Sequence, residues 1–102
     1  MLVAQGELSQ ALAAFRASID IARKLAGQDP GNAGCQRDVL VSLYKLAGVA
    51  AAAADWPQAR HFAGEALALA RALVARFPNN PRHARDLPAV EALHRRIAGQ
   101  AG

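Results

Sequence analysis

Threonine is absent from this 102-residue chain, cysteine and tryptophan occur once each, and only five residues are aromatic. Valine and isoleucine are also sparse. Sheets draw on β-branched and aromatic residues for their pleated, half-buried surfaces, so this shortage argues against a β protein. The lone cysteine, Cys35, excludes an intramolecular disulfide and a multi-cysteine metal site within one chain. The longest apolar run, Val49 to Ala54, is alanine-rich and far short of the roughly 20 residues that span a bilayer. No cationic stretch followed by an apolar core marks a secretory leader. The expectation is a cytoplasmic protein with no membrane contact.

What is abundant is alanine and leucine, with arginine and glutamine, all strong helix formers. The length suits a single domain, residues 1–102, near the lower end of what buries a stable core. The net charge is +4, and from Arg71 onward six arginines face only Asp86 and Glu91. A basic end can draw nucleic acid or an acidic partner. At this magnitude a solvated, arginine-rich helix surface is the favoured reading.

Repeats come before finer structure, since a missed repeat misassigns the whole fold. Sliding the chain against itself by 48 residues gives a match without insertions. Gln10-Ala11 meets Gln58-Ala59, Ala22-Arg23 meets Ala70-Arg71, and Leu25 meets Leu73. Pro30 meets Pro78, Asn32 meets Asn80, and Arg37-Asp38 meets Arg85-Asp86. Similar pairs fill the gaps: Glu7 with Asp55, Leu8 with Trp56, Ile19 with Leu67, Ile21 with Leu69, and Val39 with Leu87.

Within each copy the punctuation is helical. Asp55 caps a helix, Gln58 closes a capping box, and Pro57 suits the first turn. Apolar residues then recur at three and four: Trp56, Ala59, Phe62 or Ala63, Ala66, Ala70, Leu73, Phe77. The earlier copy reads Leu8, Leu12, Phe15, Ile19, Ala22, Leu25 or Ala26, in a helix expected from Glu7 to Gln28. Both stretches stop at Asp29-Pro30-Gly31-Asn32 and Phe77-Pro78-Asn79-Asn80-Pro81, where proline ends one helix and asparagine caps the next. A second helix is expected from about Ala33 to Ala54, with Val39, Leu43, Leu46 and Ala50 on one face. Its counterpart starts near Pro81 and carries Leu87, Val90, Leu93 and Ile97. Pro88 falls inside that last helix and predicts a kink, or a fresh start capped by Asp86 near Leu87.

These residues resemble the tetratricopeptide repeat (TPR) family. Leu43, Leu46 and Ala47 match the large, large and small positions of a unit's first helix. Asp55, Trp56 and Ala59 match the turn and the small packing position of the second, and Ala66, Leu67 and Pro78-Asn79-Asn80 its close. Gly6, Ala11, Phe15, Ser18 and Ile19 are the earlier copy. The period of 48 exceeds the roughly 34 of the standard unit, so the helices must be longer. The segment Gly31 to Val39 resembles a linker of long bacterial TPR arrays, with Cys35 where an aromatic is usual. Arg95 stands at a small position of the last helix, so its outer surface is not expected to carry another repeat.

The resemblance implies an all-α stack of antiparallel helix hairpins, a short α-solenoid fragment of about two repeats that binds protein partners and is not an enzyme. Its concave surface would be lined by Val41, Tyr44, Lys45, Gly48, Ala51 and Ala52 on the middle helix, and by Ala89, Ala92 and Arg96 on the last, with Arg82 and Arg85 nearby. This face is small and weakly charged, which favours a peptide or partner helix in an apolar groove over a charged tail. Nucleic-acid or acidic-surface binding through Arg82, Arg85, Arg95 and Arg96 is the alternative.

In the repeat register Met1 to Gln5 lie opposite Val49 to Ala53 and read as the last turn of a preceding helix. The stripe Leu8, Leu12, Phe15 and Ile19 is then expected to be half covered. Each large side chain left in water forfeits about 1.5–3 kcal/mol, which predicts either a homodimer through this helix or a helix supplied by another protein.

Chemistry is sparse. His61, His83 and His94 do not converge, and each stands three or four residues from a carboxylate (Glu65, Asp86 and Glu91), the pattern of an exposed helix pair rather than a metal site. Cys35 opens a helix, but the repeat puts a packing residue there. No glycine-rich phosphate loop is present, since Gly31 and Gly34 flank a helix cap. No cofactor is expected. The recurring Arg37-Asp38 and Arg85-Asp86 pairs read as links between neighbouring helices.

Overall fold

The computed structural model describes residues 3–100, which form four α-helices: α1 (Val3–Gln28), α2 (Ala33–Ala52), α3 (Trp56–Arg76) and α4 (Pro81–Ala98). Each helix packs antiparallel on the next, and α2 also touches α4. The result is an all-α, TPR-like helical repeat stack measuring 44 × 28 × 18 Å. No strand occurs among the described residues. None of the described helices is long and apolar enough to cross a membrane. The ends of α1 and α3 (Gln28 and Arg76) and the starts of α2 and α4 (Ala33 and Pro81) are separated by the repeat period of 48 residues.

The helix starts follow the caps. Asn32 accepts the amide of Cys35 at 3.1 Å, Asp55 that of Gln58 at 3.3 Å, and Asn80 that of Arg82 at 2.9 Å. Each satisfies a first-turn N–H that has no partner inside the helix. The capping box expected at Asp55 does not close. The Gln58 side-chain amide donates to the Asp55 carboxylate, because the Asp55 N–H is already held by the carbonyl of Ala50 at 2.9 Å. That bond, with Ala54 N–H donating to Ala51 O at 3.0 Å, forms a Schellman turn closing α2. Its left-handed position is filled by Ala54, at φ 57°.

Two expectations are corrected. Val3 to Gln5 continue α1 rather than ending a separate helix; Met1 and Leu2 lie outside the described residues. Gly6 stands 48 positions before Ala54, yet it is helical, since no preceding helix is present for a turn to fold back on. Nor does α4 restart near Leu87: it runs through Pro88 from Pro81 to Ala98. Proline removes the hydrogen bond to the carbonyl four residues earlier. Here Ala84 and Pro88 are both exposed, so water can take over that carbonyl.

The core runs down the middle of the stack. Leu40, Leu43 and Leu46 of α2 and Leu73 of α3 are fully buried, as are the alanines Ala47, Ala50, Ala59, Ala63 and Ala66. Methyl side chains at these crossings let the helix axes approach closely, and the leucines fill the spaces between them. Val90, Leu93 and Ile97 bring α4 onto the same core.

Candidate partner-binding groove

Residues three and four apart share a helix face, and α2 therefore aligns Arg37, Val41, Tyr44 and Lys45 along one side. α4 aligns Asp86, Ala89 and Val90 opposite them. Between these faces lies a cavity of about 290 Å³. Leu40 and Val90, each 2% exposed, form its apolar floor. Val41 is half-buried, whereas Tyr44 (39% exposed) and Lys45 rise at the rim.

One end is walled by an ion pair. The Arg37 guanidinium donates to both oxygens of Asp86, Nε at 2.8 Å and Nη2 at 3.1 Å. The hydrogen bond to Asp86 raises the Arg37 pKa; burial acts in the opposite direction, and the negative charges of Asp86 and Asp38 reinforce the rise. The pair thus stays charged under ordinary conditions while cancelling its own net charge. Lys45, with no salt bridge among the described residues, leaves the other end positive.

Val41, Tyr44 and Lys45 are thus brought together with Ala89, as their register suggested. Gly48, Ala51 and Ala52 lie farther along α2, and Ala92 and Arg96 farther along α4, outside the cavity. Ala51 turns partly inward onto the core. The sequence reading had assigned Arg37 and Asp86 a helix-linking role, which they fill, but not a place in the groove. The floor residues Leu40 and Val90 were missed as groove residues, because their spacing signals only a buried stripe.

A wider depression of about 720 Å³ opens at the loop end between Ala33 and His83. Two of its three arginines are engaged by the protein itself: Arg76 donates to the carbonyl of Pro30 at 2.9 Å, and Arg37 pairs with Asp86. The apolar α2–α4 groove is the better-formed recognition surface.

The histidines stay apart. His61 meets Glu65 at 2.7 Å, and Glu65 also takes Arg23 of α1 at 2.6 Å. His83 does not pair with Asp86, whose carboxylate is committed to Arg37. Its ring is 2% exposed and lies 5.7 Å from the Phe77 ring, with neither nitrogen hydrogen-bonded. Among the described residues no group of three or more potential ligands could hold a metal ion. Cys35 is a free, half-buried thiol.

Residues 1–30 match a family model described as tetratricopeptide repeat. No curated protein and no solved structure matches the chain.

Proposed function

We propose that this chain, which carries a tetratricopeptide repeat over residues 1–30, is a non-catalytic protein-interaction module that receives a peptide or partner helix in the α2–α4 groove. TPR units in general mediate protein–protein contacts. The observation that carries the reading is the groove itself: an apolar floor of Leu40 and Val90, an aromatic rim at Tyr44, and a lysine at one end. A partner segment would lay an apolar side chain on that floor and direct a carboxylate or a C-terminal carbonyl towards Lys45. Its affinity would come mainly from desolvated apolar area and the tyrosine ring, since aromatic anchors in small pockets dominate such contacts.

The test is a peptide-display selection on the whole chain, followed by affinity measurements on the recovered peptides. The expected peptides carry apolar anchors, bind with little salt dependence, and lose about tenfold or more in affinity to Tyr44→Ala. Tyr44 is exposed, so this variant keeps its fold. Binding of a single-stranded oligonucleotide that falls steeply with salt and with Arg82→Ala, Arg85→Ala and Arg96→Ala would replace this reading by the electrostatic one.

A further inference from the structure

Helix α1 has two apolar seams. The first, Leu8, Leu12, Phe15, Ile19, Ala22 and Ala26, faces α2. Ile19 and Ala26 are buried, and Leu12, Phe15 and Ala22 pack partly buried against the core. The stripe expected from sequence to stay open for self-association (Leu8, Leu12, Phe15, Ile19) is thus the one that α2 covers, with Leu8 half-buried at its end. The second seam, Ala11, Ala14, Ser18, Ile21 and Leu25, points elsewhere. Ile21 is 64% exposed and Leu25 51%, the two most exposed large apolar side chains described.

The repeat shows what this second seam is built for. Its counterparts 48 residues later are Ala59, Phe62, Ala66, Leu69 and Leu73 of α3. Four of these five are buried, and Leu69 packs partly buried on the same core. In α3 the counterpart of the first seam faces the following helix, α4, so the second faces the preceding helix, α2. The α1 seam therefore has the pattern of a helix-packing surface, and no described helix lies on it.

The far end of the stack does not complement it. The face that α2 turns towards α3 carries Leu43, Leu46, Ala47 and Ala50; the same positions on α4 are Glu91, His94, Arg95 and Ala98. Head-to-tail stacking would press this polar face onto Ile21 and Leu25 and desolvate its charges without partners.

The seam does complement itself. Its 3-4-3-4 spacing is that of a coiled-coil stripe, with small residues in its N-terminal half and large ones in its C-terminal half. In an antiparallel pair of α1 helices, Leu25 of one copy meets Ala14 of the other, and Ile21 meets Ser18. Every such layer then joins one large side chain to one small one. A slide of one heptad towards the N-terminus would instead oppose Ala14 to Ser18, leaving a gap, and bury Glu7 under Leu25. We propose that α1 is a self-association surface, and that two copies of this chain pair through it antiparallel in the Ala14–Leu25 register.

Sedimentation of the whole chain from micromolar to millimolar concentration tests this, with Leu25→Glu and Ile21→Glu as variants and circular dichroism as a check on folding. Both residues are exposed, so helicity should persist while self-association weakens by about tenfold or more, since a carboxylate would be buried without a partner. In a Cys35→Ser background, chains carrying Ala14→Cys should form a disulfide with chains carrying Leu25→Cys. In a parallel pair these positions are about 16 Å apart along the helices, beyond disulfide reach. A monomer at every concentration, or a dimer indifferent to both glutamates, overturns the proposal. A dimer broken by the glutamates whose cysteine variants link only like to like overturns the antiparallel register.

Discussion

Arg37 and Asp86 belong to different copies of the repeat, and their side chains meet in a two-point ion pair of 2.8 and 3.1 Å that ties α2 to α4. In the sequence each has a neighbour of opposite charge, Asp38 and Arg85, yet the pairing skips to the other copy.

The pair is partly open to water, with side-chain exposures of 32% for Arg37 and 20% for Asp86. Exposed pairs contribute little, whereas bidentate geometry raises the value. A double-mutant cycle with Arg37→Ala and Asp86→Ala should give a coupling of about 1 kcal/mol in urea unfolding. Because the hydrogen bond to Asp86 raises the Arg37 pKa, the arginine's share is present at all pH values below the ordinary guanidinium range. It is lost only as pH rises through the raised value. Zero coupling would reduce the pair to a groove wall without a structural role.

Leu46 and Ala63 are both at 0% exposure and probe the core from opposite directions. Leu46→Ala leaves a cavity and should cost about 2–5 kcal/mol. Ala63→Leu inserts volume at a helix crossing and should cost about 1–3 kcal/mol. Denaturant midpoints at unchanged m-value read both. A neutral Ala63→Leu would mean that the crossing is looser than described.

Ala54 and Gly6 make a reciprocal pair. Ala54 holds a left-handed φ of 57° that glycine adopts without strain, so Ala54→Gly should stabilise by about 1 kcal/mol. Gly6 lies inside a helix, where alanine is better by about 0.5–1 kcal/mol. Gly6→Ala should therefore raise the melting temperature. A marked fall would mean that Gly6 occupies a turn rather than α1.

His83 is buried with both ring nitrogens unpaired, against the ring of Phe77. An unpaired buried polar group costs about 1–3 kcal/mol. His83→Phe removes that cost at similar volume and should leave thermal stability unchanged or higher. A loss of more than about 1 kcal/mol would reveal a polar role for the ring.

Much of this fold was legible in the residues because local and long-range signals agreed. Asn32, Asp55 and Asn80 announce helix starts, the proline loops announce ends, and the 48-residue register transfers one copy's packing to the other. The misreadings arise where a residue's role depends on what lies against it. Gly6 has the composition of a turn but needs a preceding helix to become one. Pro88 breaks a helix only if the freed carbonyl has no other donor, and the exposed face of α4 gives it water. His83 stands three residues from Asp86, but Arg37 reaches that carboxylate first from another helix. The stripe on α1 was assigned to the open side because both its seams are apolar, and periodicity alone does not say which one α2 takes. In the groove, Tyr44 and Lys45 were readable from the helix register, whereas the participation of Leu40 and Val90 required the α2–α4 distance.

The nearest-neighbour stacking has a kinetic corollary. α1 packs on a single helix, while α2 packs on three. In such quasi-linear architectures each element's persistence depends on its immediate neighbours. Opening should thus begin at α1, and its amides should exchange with solvent before those of α2 and α3. Release of α1 would uncover the opposite face of α2 while leaving the groove residues in place. The recognition surface would then outlast the end of the stack that we assign to self-pairing, and hydrogen-exchange rates along the chain would record that order.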